Sequence, residues 1–268
     1  MTISQDLIQG WFDVEEVEPG IFRIDEPLHF EWVKSYLIVG RERAALIDTG
    51  TGVGDIRAVV EDCTSLPVRL INSHGHWDHI GGNIRFDDIA IHDSEARKLE
   101  QGVSRERMRG NFAPRFLTGP LPDGVDPDDL AIPPSTATTL LHGGETIDLG
   151  GVTLRVIHVP GHSPGSIVFF DRARGILFST DVAYAAPLYC YSAESNFEDY
   201  RKSMRLLATL APDVRAVYGS HNETPFGPEL LISIAKAFED VAAGEVEPVV
   251  EERYRRYEFD GFSLLLSL

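Results

Sequence analysis

The sequence predicts an α/β protein, arranged as one large domain or two small ones. Three observations carry that expectation. Short apolar, β-prone runs alternate with longer amphipathic ones. The 268 residues suffice to bury a substantial core. Polar loops rich in His, Asp and Gly follow directly on strand-like runs, where α/β folds place their sites.

The elements follow in order. Ile21 to Ile24 alternates, Ser35 to Val39 is apolar and β-prone, and Ala44 to Ile47 ends at Asp48-Thr49-Gly50. Gly40 to Arg43 supplies the hairpin turn between the last two. Asp48 suits two roles: a carboxylate orienting a metal-bound His, or a turn or N-cap residue before a helix over Asp55 to Glu61. Val68 to Ile71 reads as a buried strand, and Ile89 to His92 as another, with His92 a strand-end packing residue. Asp93 or Ser94 then caps a helix running to about Gln101.

Residues 102–139 change character. Arg105, Arg107, Arg109 and Arg115 precede a Pro-, Gly- and Asp-rich run without periodicity, which reads as a lid-like insertion over the site. The arginines form a solvated face or meet an anionic substrate tail, the solvated face being the default. Thr146 to Leu149, Gly150-Gly151 and Thr153 to Ile157 form a hairpin signature. Ile167 to Phe170 and Gly175 to Ser179 are strands around the Asp171 to Arg174 turn, and Val214 to Tyr218 is a further strand. Helices are expected over Phe197 to Leu210, with Leu206, Leu207 and Leu210 on one face, and over Pro228 to Val241. In the tail, residues 250–268, two β-prone runs flank Asp260-Gly261 as a hairpin. Three roles fit that tail: capping a sheet edge, covering the site, or pairing with a second subunit in a homodimer.

Composition narrows the function. A formal net charge of -18 repels a phosphate backbone and an anionic bilayer, so neither nucleic acid nor membrane is expected as partner. The two cysteines, Cys63 and Cys190, suggest packing groups rather than a disulfide framework or thiolate metal site. Met1 to Gly10 lacks the pattern of a signal peptide, and no run approaches a membrane span; a cytoplasmic protein is expected.

The chemistry concentrates in His74-Gly75-His76-Trp77-Asp78-His79, between a buried strand and the Gly81-Gly82 turn. Three imidazoles and a carboxylate so close together are hard to justify as packing. Their donor atoms suit zinc, and without thiolates a structural zinc knuckle is not indicated. His162, in Pro160 to Ser166, and Asp181 and His221 also follow strand-like runs. A single end of a sheet would gather all seven into one binuclear centre. Ser163 and Ser166 read as turn formers rather than nucleophiles.

These motifs, together with Leu46 to Gly50, resemble those of the metallo-β-lactamase fold superfamily, which includes hydroxyacylglutathione hydrolases, lactonases and acyl-CoA thioesterases. The resemblance covers about residues 20–240 and implies a four-layer αββα sandwich, with residues 1–268 expected to form a single domain of that fold. It implies that His74, His76 and His162 hold one zinc, Asp78, His79 and His221 the other, and that Asp181 bridges them with a water or hydroxide. Iron or manganese can replace zinc in such donors. Two ions bring the pKa of bound water toward ~7, giving a hydrolase of small acyl substrates: thioester, lactone or ester. Asp78 would shuttle a proton to the leaving group, and Tyr184, in Asp181-Val182-Ala183-Tyr184, would donate to the developing oxyanion. Tyr184 as a core tyrosine is the competing reading. An iron-dependent dioxygenase and a β-lactam hydrolase are the alternatives within the fold. The complete second ligand set weighs against the first, and Asp181, where β-lactamases commonly have Cys or Ser, against the second.

Overall fold

The computed structural model describes residues 8–268. The expectation about a leader in residues 1–10 falls mostly on residues 1–7, outside the described residues. Two compact units emerge: one comprises the chain up to Leu141 with Asp148–Val152, the other His142–Ile147 with Thr153–Leu268.

The first unit holds a seven-stranded sheet whose spatial order follows the chain. Strands β1 (Asp13–Glu18), β2 (Ile21–Asp25), β3 (Lys34–Val39) and β4 (Ala44–Ile47) form an antiparallel meander. From there β5 (Val68–Ile71), β6 (Ile89–His92) and β7 (Thr139–Leu141) add in parallel. A parallel pair needs a crossover, and helix α1 (Ile56–Cys63) provides the one between β4 and β5. Asp55 caps α1 by accepting from the Arg57 and Ala58 amides. The cap is thus Asp55, which releases Asp48 for other work. Trp11, Leu37, Leu46, Val59, Leu70, Ile91 and Phe112 form this unit's core.

The insertion over residues 102–139 is more ordered than the sequence suggests. After helix α2 (Ala96–Gln101) comes helix α3 (Arg105–Asn111), and Val103 and Ile132 pair through reciprocal backbone hydrogen bonds of 2.8 and 2.9 Å. Val103, Met108, Phe112 and Ile132 are buried in the first core, so apolar anchors spaced too widely to show periodicity hold the segment. Two of its four arginines meet acids of the same segment: Arg105 lies 2.7 Å from Asp129 and Arg109 2.6 Å from Asp128, both pairs exposed. Such pairs contribute at most about 1 kcal/mol, as a solvated face does.

The second unit holds two sheets. The larger runs β13-β11-β10-β9-β8 and comprises β8 (Thr146–Asp148), β9 (Thr153–His158), β10 (Ile167–Asp171), β11 (Ile176–Thr180) and β13 (Ala216–Gly219). The smaller runs β12-β16-β15-β14, from β12 (Pro187–Cys190), β14 (Val249–Val250), β15 (Arg255–Phe259) and β16 (Phe262–Leu266). The tail forms the expected hairpin, with Gly261 at φ 80°, and β16 pairs in parallel with β12. The tail therefore builds a sheet with a strand of its own chain. That strand was not legible in sequence, because a short run opening on Pro187 lacks a strand signature.

Helices α4 (Phe197–Leu210) and α5 (Glu229–Ala242) cover this unit's core, with Tyr200 and Phe238 rings 4.7 Å apart. Asn196 caps α4 by accepting from Asp199. The buried stripe of α4 is Tyr200, Ser203, Met204 and Leu207, whereas Leu206 is 43% exposed. The expected leucine face is corrected accordingly: residues 200, 203, 204 and 207 share one side of a helix, and Leu206 lies about 100° away from its neighbour. Pro228 precedes α5 as its N-cap. Among the described residues no helix is long and apolar enough to cross a membrane. Cys63 and Cys190 are free thiols.

Candidate metal centre

In the first unit, the loop after β5 carries His74, His76, Asp78 and His79 within one tight excursion. The ring centroids of His74 and His76 lie 4.4 Å apart, those of His74 and His79 4.3 Å. Asp78 Oδ2 lies 3.7 Å from His79 Nε2. Close backbone approach makes this curl possible. A Cβ on Gly81 would fall 2.2 Å from the Gly52 nitrogen, so only glycine lets the His loop rest on the Asp48–Gly52 loop.

Beneath these imidazoles lies a buried relay of hydrogen bonds. Asp48 Oδ2 is 2.9 Å from His79 Nδ1 and accepts from Ser73 Oγ at 2.7 Å, while Asp48 Oδ1 accepts from the Ser73 amide at 2.7 Å. Ser73 Oγ in turn is 3.0 Å from His74 Nδ1. With the Ser73 proton committed to Asp48, His74 Nδ1 is the donor to Ser73, and His79 Nδ1 is the donor to Asp48. Each ring then carries its lone pair on Nε2. Of the two sequence readings of Asp48, the helix cap falls to Asp55, and the Asp48 carboxylate stands instead against the His79 ring. Ser73 is a member the sequence reading missed, and a lone Ser before a His carries no signal by itself.

In the second unit, His162 follows β9, Asp181 follows β11 and His221 follows β13. Asp181 Oδ2 lies 3.1 Å from His221 Nε2 and 3.5 Å from His162 Nε2. His162 Nδ1 is 3.0 Å from the Tyr189 carbonyl, so it too donates through Nδ1 and presents Nε2. Ser195 Oγ donates to the His162 carbonyl at 2.9 Å, and Gly161 at φ 139° packs where a Cβ would fall 2.2 Å from Tyr200 Cα. Tyr200 donates to the Asp181 and Val182 carbonyls at 3.1 and 2.8 Å, and burial pushes its phenol well above the ordinary range. Tyr184 is buried, its ring 5.4 Å from that of His221, and its hydroxyl donates to the Pro187 carbonyl at 2.8 Å.

Backbone strain marks the same places. Among non-glycine residues with positive φ are Asp48 (62°), Thr180 (49°), directly before Asp181, and Asn222 (57°), directly after His221. Such conformations cost about 1–3 kcal/mol each and collect at functional sites.

The donor set fits a divalent cation. All seven side chains belong to the His and Asp groups able to hold a metal, and all but His76 are buried. Imidazole Nε2 atoms backed by Nδ1 hydrogen bonds, with carboxylate oxygens beside them, are the ligand and support chemistry of a borderline-soft ion.

Comparisons with known proteins show the family. The sequence profile of the Metallo-beta-lactamase superfamily matches residues 33–221. The acyl-coenzyme A thioesterase MBLAC2 of Homo sapiens is 31% identical over 244 residues, covering 85% of this chain and 87% of its own. The hydroxyacylglutathione hydrolase GloC of Haemophilus influenzae is 26% identical, covering 70% of this chain and 84% of its own. Among solved structures, a metallo-β-lactamase family protein from Thermus thermophilus superposes with TM-score 0.63 at 22% identity, over 86% of this chain and 83% of its own. A metallo-β-lactamase from Pontibacter korlensis gives TM-score 0.63 at 16% identity, over 85% of this chain and 99% of its own. At such identities the structural likeness speaks for the fold alone. The profile match spans most of the chain and includes every candidate ligand, and on that ground the chain belongs to the metallo-β-lactamase superfamily.

Proposed function

We propose that the chain is a binuclear zinc hydrolase of small acyl substrates, thioesters above all. In this reading His74, His76 and His162 hold one ion, Asp78, His79 and His221 the other, and Asp181 is shared. The observation that carries it is the position of Asp181 Oδ2 within 3.5 Å of two imidazole Nε2 atoms from different strands. A carboxylate so placed is suited to two cations rather than one. Bound zinc supplies Lewis acidity toward the scissile carbonyl and acidifies water.

The chain's own residues do the rest. Asp48 and Ser73 hold His79 and His74 by their Nδ1 atoms, and the Tyr189 carbonyl holds His162, so the imidazoles need no reorganisation when ions bind. Asp78, a carboxylate beside His79, is the proposed carrier of a proton to the departing thiolate or alkoxide. Tyr184 is the proposed donor to the carbonyl oxygen; to act so its hydroxyl must turn away from Pro187. Thioesters are favoured over lactones because both named relatives act on thiol conjugates of acyl groups.

The test compares an acyl-CoA, a glutathione thioester, a homoserine lactone and a β-lactam as substrates, with metal analysis of the same preparation. Thioester turnover with two zinc per chain is the expected result. Iron with oxygen consumption, or turnover confined to the β-lactam, overturns it.

A further inference from the structure

The second unit contains a cavity of about 320 Å³ that none of the candidate metal ligands lines. Phe197, Val241, Tyr257 and Leu266 supply apolar walls, and Arg255 stands among them. At about 30 Å³ per small group, the share a water takes in the liquid, the space holds about ten non-hydrogen atoms. Arg255 is unusual in this setting. Its Nε and Nη2 both donate to the Ser267 carbonyl, at 2.9 and 2.7 Å, and among the described residues no carboxylate pairs with it. Its neighbour Arg256, by contrast, lies 2.6 Å from Glu251. In a chain of formal net charge -18, a guanidinium without a carboxylate partner, carried by a half-buried arginine beside an apolar wall, is poised for an anion. The Cys190 thiol, also in the wall, adds no negative charge, because burial pushes it up to about 12.

We infer that this cavity binds a free medium-chain carboxylate, its tail against Phe197, Val241 and Leu266 and its head group on Arg255. In an acyl-CoA or glutathione thioester the group joined to the acyl tail is neutral and the charges sit on a thiol portion far larger than the cavity, so the acid and not the acyl conjugate is the ligand. The seat lies against the backbone of a candidate metal ligand, since Ser195 lines the cavity and donates to the His162 carbonyl. The ligand class is also the acid that an acyl thioesterase releases; that link, though not the binding, rests on the function proposed above.

The test is calorimetry of the intact protein with octanoate, and with octanol as the uncharged control. Saturable octanoate binding is expected, weakened roughly tenfold by Arg255→Gln, the weight of one charge-assisted hydrogen bond. Val241→Trp, which fills the space from a half-buried helix position, should abolish it. Octanol should bind as weakly as octanoate binds the Arg255→Gln protein. Binding should persist after chelation, which separates this seat from a carboxylate on the metals. No saturable heat, equal binding of octanoate and octanol, an unaffected Arg255→Gln protein, or loss of binding on chelation would each overturn the proposal. Thioester turnover is read separately, so either reading can fail alone.

Discussion

Asp48 Oδ2 lies 2.9 Å from His79 Nδ1, with both side chains fully buried and Asp48 itself at φ 62°. A strained carboxylate that takes up the back of one imidazole, and through Ser73 reaches a second, orients these rings rather than capping a helix. Asp48→Asn is therefore expected to lower zinc affinity about 10- to 100-fold, with turnover falling in step and the fold retained. Competition with a metallochromic chelator measures this; an unchanged affinity would return Asp48 to a turn role.

Removing Asp181 or His162 tests the proposed sharing of Asp181 directly. Alanine at either position should abolish thioester hydrolysis and metal content together. Stripping the native protein with a chelator should lower its melting temperature by several degrees, since a ligand at about 100 times its Kd contributes about 2.7 kcal/mol. Full turnover with zinc retained in either variant is incompatible with the proposed ligand set.

Tyr184→Phe separates two roles of that side chain. Loss of its hydrogen bond to the Pro187 carbonyl should cost about 1 kcal/mol of stability in any case. If the hydroxyl serves the reaction, kcat on a thioester should fall several-fold with zinc content unchanged. A stability loss with unaltered kcat would leave Tyr184 as the residue that packs against His221.

Glu26 gives this metal-dependent hydrolase a built-in pH response. Burial raises its carboxyl to about 7, although the Thr51 hydroxyl and amide both donate to it. An acid with a folded pKa above its unfolded one binds protons more tightly when folded. Its contribution to stability is complete below pH about 4.5 and is lost as pH rises to about 7 and beyond. Glu26→Gln should flatten this dependence and gain on the wild type as pH rises from 5 to 8, by up to about 3 kcal/mol. Chemical denaturation at several pH values checks it; parallel pH profiles would contradict the raised carboxyl.

Much of the architecture was legible because strands and helices leave periodic marks. Ala44 to Ile47, Val68 to Ile71 and Ile167 to Phe170 were readable as strands from β-prone apolar runs alone. The ordered segment around α3 was not, because its anchors Val103, Met108, Phe112 and Ile132 are spread over about 30 positions and meet only in the folded core. Strand β12 was hidden for a related reason: its partner β16 lies far along the chain, and Pro187 to Cys190 has no pattern of its own.

The seven candidate ligands and their chemistry were written in the order of the residues, since imidazoles and carboxylates after strand ends carry their meaning locally. Tertiary structure alone decided what stands behind them. Asp48 rather than Asp55 turned to His79, Ser73 joined the two, the Tyr189 carbonyl met His162, and Arg255 was left without an acid beside an apolar cavity. Each of these is a contact across sequence distance or a missing partner. A hydrogen bond is defined by where two atoms come to rest, and no pattern along one strand of chain contains that.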